Sequence, residues 1–273
     1  MSDQEDYVYE DAPLVEVLAE LRWQLLPIAS MPGAEIDPHF ERGHPKVQEA
    51  LAENGFSHVE RLVPNDVPFE VVAGSPIFRY RLAPDRWPLV QLGPGIMTVN
   101  ITPPYEGWAE FRRTMEFAVN VVDQVFAFGS EFSMIKSCEV RYIDAFTERH
   151  GMHDPTTFLT NDLSMPAMPP QKVVEMLKPE DANVIPNLRF RFPVKDRPND
   201  TLALNAGHGK RNGTEAVIYD LRLQHLVPEG VVKTAADVLK WMDEAHQQLH
   251  IAFENTISDE LRERFGPKRA VRN

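Results

Sequence analysis

The sequence predicts an α+β fold: two pseudo-repeated β-α-β-β-β-α units forming a largely antiparallel sheet, with two long helices on one face. Three observations lead there. Residues 88–126 read as strand, glycine turn, strand and long amphipathic helix. A second stretch of that kind closes near residue 254, and short landmarks ahead of each stretch recur in the same order.

The first unit opens with alternation. Val15, Val17, Ala19, Leu21, Trp23 and Leu25 fall on one side of residues 14–25, and Glu16, Glu20, Arg22 and Gln24 mostly on the other. A period of two marks a half-buried strand. Residues 27–44 are a Pro/Gly-rich loop, 45–54 a short helix closed by Gly55, and 57–63 and 69–73 strand-like pieces. Phe78-Arg-Tyr-Arg-Leu82 alternates again. Residues 88–92 and 96–101 flank Gly93-Pro94-Gly95, a hairpin signal because glycine supplies positive φ. Pro103 and Pro104 end strand pairing and pre-set a helical first turn. In that helix Trp108, Phe111, Met115, Val119, Val122 and Phe126 recur at three- and four-residue steps, one wide apolar stripe.

The second unit repeats these landmarks. Met134, Cys138, Val140, Tyr142 and Phe146 share one face, and Ser137, Glu139 and Arg141 the other. Glu139-Val-Arg-Tyr142 answers Glu20-Leu-Arg-Trp23, and Leu188-Arg-Phe-Arg-Phe192 answers Phe78-Arg-Tyr-Arg-Leu82. A short helical pattern lies near 170–178. Residues 202–206, running into Gly207-His-Gly209, answer residues 89–95, and 215–225 form a strand. Thr234 and Asp237 make a capping-box-like start to a helix striped by Val238, Trp241, Met242, Ala245, Leu249 and Phe253. The chain therefore divides into an acidic lead-in (1–12), a first unit (13–130), a second unit (131–267) and a tail (268–273), both units in one compact domain. Each unit is too small to cover both faces of a sheet, so both long helices should share the apolar face.

Composition narrows the function classes. With 273 residues, 43% hydrophobic and 25% charged, the chain has ample core-forming material. Its longest apolar runs fall short of the ~20 residues a membrane span needs. The acidic opening Met-Ser-Asp-Gln-Glu-Asp is unlike a signal peptide, and a single cysteine forbids an intrachain disulfide. Both point to a reducing cytoplasm. A net charge of −13 argues against general nucleic-acid or anionic-membrane binding.

Candidate chemistry centres on arginine. Arg22, Arg79, Arg81, Arg141, Arg189 and Arg191, with Arg222 at the margin, would stand on the sheet face away from the helices. Glu20, Glu139 and Asp220 interleave, and Gln91, Thr98, Asn100 and Thr102 add hydrogen-bonding groups. Guanidinium forks match phosphate or carboxylate, so this face is a candidate anion-binding floor. The plainer reading is a cross-strand ladder of ion pairs that only solvates an open face. A secondary candidate is the glycine-rich basic loop 207–213, whose His208, Lys210 and Arg211 could cradle a phosphate. It fits neither a phosphate-binding loop nor a dinucleotide fingerprint, and reads more simply as a hairpin tip. His246 and His250, four apart with Asp243 a turn earlier, have metal-compatible spacing but no third ligand, and read as a solvated helix face. His39 and His44 are isolated. Cys138 falls on an apolar strand face, where a thiol is inert. No catalytic residue, metal ligand or cofactor motif is assigned.

Three further stretches carry a resemblance. The opening strand Pro13-Leu-Val-Glu-Val-Leu-Ala-Glu-Leu-Arg-Trp23, the central Arg141-Tyr-Ile-Asp144 and the helix through His250-Ile-Ala-Phe253 with Thr256-Ile257 resemble a sporadically distributed bacterial family of uncharacterised proteins. Those proteins are about 250 residues long, again the size of one large domain or two small ones. The resemblance implies a bacterial cytosolic protein and brings no activity with it. The expected function is non-enzymatic binding: an Arg-rich open sheet face that meets a partner protein or a small anionic ligand. One alternative is an enzyme acting on a phosphorylated or carboxylated small molecule in a cleft between the halves. A weaker one is a component of a bacterial defence or toxin–antitoxin module. A homo-oligomer is compatible with each.

Overall fold

Alternating polarity makes Leu14–Trp23 the central strand, β1, with Leu14, Val17, Ala19, Leu21 and Trp23 buried and Glu16, Glu20 and Arg22 on the other face. The computed structural model describes residues 7–130, 133–178 and 184–270. Residues 1–6 of the acidic lead-in and 271–273 of the tail lie outside them. After β1 come α1 (Phe40–Glu53), β2 (His58–Arg61), β3 (Phe78–Arg81), β4 (Leu89–Gly93), β5 (Ile96–Ile101) and α2 (Trp108–Phe126). Then follow β6 (Ile135–Phe146), α3 (Pro155–Asn161), α4 (Gln171–Leu177), β7 (Asn187–Val194), β8 (Arg197–Arg211), β9 (Thr214–Leu226), α5 (Ala235–Thr256) and α6 (Asp259–Arg264). The fold is α+β, and its nine-stranded sheet runs β7-β8-β9-β6-β1-β5-β4-β3-β2. Every neighbouring pair in it is antiparallel.

The long helices pack where their stripes meet the sheet. α2 lies on β5 and touches both α1 and α5, while α5 lies on β6 and β9. Phe111, Met115, Ala118, Val119 and Val122 of α2 are fully buried, and α5 contributes Met242, Ala245 and Leu249. Trp23 meets Phe126 with ring centres 5.4 Å apart. The Thr234 and Asp237 cap forms reciprocally: the Asp237 N–H donates to the Thr234 hydroxyl, and the Thr234 N–H to the Asp237 carboxylate. Gly93 admits a crossing segment, since a Cβ there would stand 1.9 Å from the Ser75 carbonyl oxygen.

Several local expectations are corrected. The first helix starts at Phe40, five residues ahead of Pro45, because Phe40 is buried and holds the extra turn down. Residues 69–72 are a 3-10 turn. Pro103 and Pro104 stay in a loop, and α2 begins after Gly107. α3 was not anticipated, and the first half holds one more strand, β2, than the pattern β-α-β-β-β-α allows. Gly207-His-Gly209 is no turn: β8 runs straight through it and reverses at Asn212-Gly213. Gly207 is needed because a Cβ would meet the Pro186 carbonyl oxygen at 3.0 Å. Lead-in and tail also meet, as Tyr7–Tyr9 pairs antiparallel with Lys268–Ala270.

Candidate functional site

The arginine face comes together as the alternation of its strands requires, and most of it is already paired. Register places Glu60, Arg79, Gln91, Thr98, Glu20 and Glu139 in one row across the sheet. Arg79 donates to Glu60 at 3.0 Å, and Arg22 pairs with Glu20 while donating to the Gly74 carbonyl. Arg81 is buried rather than displayed, its guanidinium 4.9 Å from the Trp87 ring centre and 3.5 Å from Glu60. Arg141 forks onto Asp220 at 2.7 and 2.8 Å. Asn100 donates to Glu16 at 2.7 Å. Arg222 lies 3.7 Å from Glu139. Burial pushes the Glu139 carboxyl up to about 7, with Arg222 opposing and Glu20 across the ladder adding to the rise. Arg189 and Arg191 stand apart, exposed on the edge strand β7, and make no ion pair among the described residues.

The basic loop candidates sit in strands. His208 and Lys210 both contact Glu215, Lys210 at 2.9 Å. Arg211 donates to the Pro13 and Leu14 carbonyls at 3.4 Å. Cys138 is buried, and that desolvation pushes its thiol up to about 12, an inert state.

The more organised chemistry lies on the opposite, apolar face, where α5 meets β6. Here His246 is a correction: it is half-buried and packed between α5, α2 and β6 rather than on a solvated helix face. Its ring stacks on Trp108 with centres 4.5 Å apart and planes 4° from parallel. Its Nδ1 shares a 2.7 Å hydrogen bond with the Tyr142 hydroxyl, which is 3.4 Å from the Tyr105 hydroxyl. The indole N–H of Trp108 and the guanidinium of Arg112 each donate to Asp243 at 2.9 Å, locking α2 onto α5. Desolvation, followed by the neighbouring His250, pushes His246 down to about 3, so the imidazole is neutral at ordinary pH.

These groups border a cavity of about 90 Å³. Leu221, Leu249, Phe253 and Leu14 supply apolar wall, and residues 8–14 pass over it. Asp144, two residues after Tyr142, is the buried acid of this wall at 4% exposure. Burial pushes its carboxyl up to about 7, against the pull of Arg211. It makes no hydrogen bond or ion pair with any described residue. Glu254, the other acid of the wall, accepts from Tyr9 at 2.8 Å and from Arg262 at 3.2 Å. Beyond residues 8–14 lies a larger open hollow of about 570 Å³, whose wall includes Arg149, His150 and Arg211.

Both groups could be found in the sequence. Alternation along 138–146 puts Asp144 between Tyr142 and Phe146 on the apolar side. His246 lies four after Met242 and three before Leu249, inside the helical stripe. The four-residue spacing of His246 and His250 also matches a metal pair or a solvated helix face, and spacing alone does not separate these from packing. Among the described residues no cluster of three metal-ligating side chains occurs, and no helix is long and apolar enough to cross a membrane.

No family model and no curated protein matches the chain. Among solved structures, the di-domain ARO/CYC StfQ from the steffimycin biosynthetic pathway aligns over 70% of this chain and 75% of its own. The identity is 10% and the TM-score 0.20, too slight a likeness to bear on fold or function.

Proposed function

We propose that this protein binds a small molecule in the cavity beneath residues 8–14, and that it acts as a binding protein. One observation carries the reading. The His246 ring is clamped between the Trp108 stack and the Tyr142 hydrogen bond at the wall of a largely apolar cavity. Apolar pockets with a few convergent, pre-positioned polar groups are the usual form of ligand sites, because fixing those groups beforehand lowers the cost of binding. An apolar cavity of about 150 Å³ takes a ring of six heavy atoms, so this space suits a ligand of about four, or slightly more where residues 8–14 move.

The test is a fragment screen by thermal melting on the full chain and on Ala12→Leu, which places bulk at the cavity rim. Small apolar and amphipathic fragments should raise the melting temperature of the parent and do so much less in the variant. Equal shifts in both would place the binding elsewhere.

The arginine face supports a second reading, an acidic partner protein at the sheet edge, favoured by Arg189 and Arg191, exposed and without an ion pair among the described residues. Reversing both to Glu should remove partner capture and leave melting unchanged. Unchanged capture would leave the face as a solvated ladder.

We also infer that the halves are related copies with both long helices over one face. β1 and β6 lie side by side, each bonded on its outer edge to the last strand of its own half. Glu20 therefore faces Glu139, and Trp23 and Tyr142 reach α2 and α5.

A further inference from the structure

Charge in the cavity wall is one-sided. Its described lining contains two acids, Asp144 and Glu254, and no lysine or arginine. Glu254 is engaged by Tyr9, Arg262 and Lys268. Asp144 makes no side-chain hydrogen bond or ion pair with any described residue, although it is buried at 4% exposure. A buried carboxylate without a partner is costly, and a cation that neutralises and hydrogen-bonds it removes that cost.

From this geometry we infer that the ligand is a small organic amine, seated with its ammonium on Asp144 and its apolar body against Leu221, Leu249 and Phe253. The inference rests on the cavity being a ligand site and specifies what that site takes. An ammonium brings three donors and a charge, and the cavity is lined by the aromatic side chains of Tyr105, Tyr142 and Phe253, a type that attracts cations. An anion meets two acids in the described lining and no lysine or arginine there. An alcohol of equal size offers Asp144 one hydrogen bond and no charge.

The groups around Asp144 leave it as the titrating member. From β9 its cross-strand neighbour is Tyr219, whose hydroxyl burial keeps protonated, and from β1 it is Leu14. α5 contributes His246, held neutral, together with His250 and Glu254. Arg211 of β8 gives a cationic field but directs its own donors to the Pro13 and Leu14 carbonyls. With Asp144 ionising at about 7, amine binding should strengthen as pH rises across neutrality.

The experiment is calorimetric titration of the full chain with isobutylamine, isobutanol and isobutyrate, matched in size. Isobutylamine should bind at least about tenfold more tightly than isobutanol, a difference of about 1.4 kcal/mol. That preference should grow between about pH 6 and about pH 8, and should vanish in Asp144→Asn. If isobutanol or isobutyrate binds as well as the amine, the amine inference falls and the cavity remains a ligand site. If none of the three binds, the cavity reading falls with it. Should Asp144→Asn fail to fold, the amine-to-alcohol ratio of the parent and its pH dependence decide the matter alone.

Discussion

A carboxyl group that ionises at an ordinary 3.8 when exposed and at about 7 when folded makes folding itself pH-dependent, and Asp144 is such a group. Its folded-state value is raised, so the folded chain holds the proton more firmly. Rising pH between those two values therefore ionises the unfolded chain first and removes stability, and above about 7 the loss is complete. Asp144→Asn cannot ionise. The variant should be more stable than the parent near pH 8, with the gap narrowing toward pH 4, by urea unfolding at both. A gap independent of pH would mean Asp144 is solvated. His246 has the opposite sign: its folded value lies near 3 against 6.5 unfolded, so stability is lost as pH falls below 6.5. His246→Gln should flatten that acid-side slope. Periodicity puts both positions on apolar faces, although the sequence reading gives His246 as a solvated helix face and leaves Asp144 out. What periodicity lacked was the partner: Asp243 and Trp108 are 135 residues apart, and nothing local announces their hydrogen bond.

At the scale of elements, strong periodicity located the long pieces and short or compromised ones slipped. α2 follows its stripe from Trp108 to Phe126, and α5 its capping box, because each buries a continuous face. α1 was cut short at Pro45, since proline signals a start although buried Phe40 holds an earlier turn. Gly207 and Gly209 read as a turn, yet they stand in β8 where neighbouring atoms crowd any Cβ. Trp108 is the hinge pin between the two long helices: it is 7% exposed, stacks on His246 and bonds Asp243. Trp108→Ala should therefore cost about 3–5 kcal/mol of folding stability, the range for removing a large core side chain. An unchanged thermal midpoint would contradict the packing of α2 on α5.

For the molecule as a whole, the sheet separates two kinds of polar chemistry. One face carries arginines that Glu20, Glu60, Glu139 and Asp220 largely answer, so its charge stabilises the surface more than it demands a ligand. The arginine ends of these pairs stay partly solvated, and ion pairs at a water-facing surface contribute little singly. The other face holds a small cavity whose wall carries a clamped histidine and an acid, Asp144, without a hydrogen-bond partner among the described residues. The arginine row could be drawn from alternation, but its pairing could not, because register decides which carboxylate meets which guanidinium. Likewise the cavity depends on residues 8–14 crossing from β1 toward the Tyr7–Tyr9 ribbon, a path no local pattern encodes. The account turns on that cavity being where a ligand sits. The most direct measurement is methyl NMR of the Leu- and Val-labelled protein during titration with isobutylamine. The account predicts that shifts gather on Leu14, Leu221 and Leu249 and spare exposed Val71, Val173 and Leu177. Shifts confined to the exposed methyls, with the three cavity leucines unmoved at saturation, would contradict it.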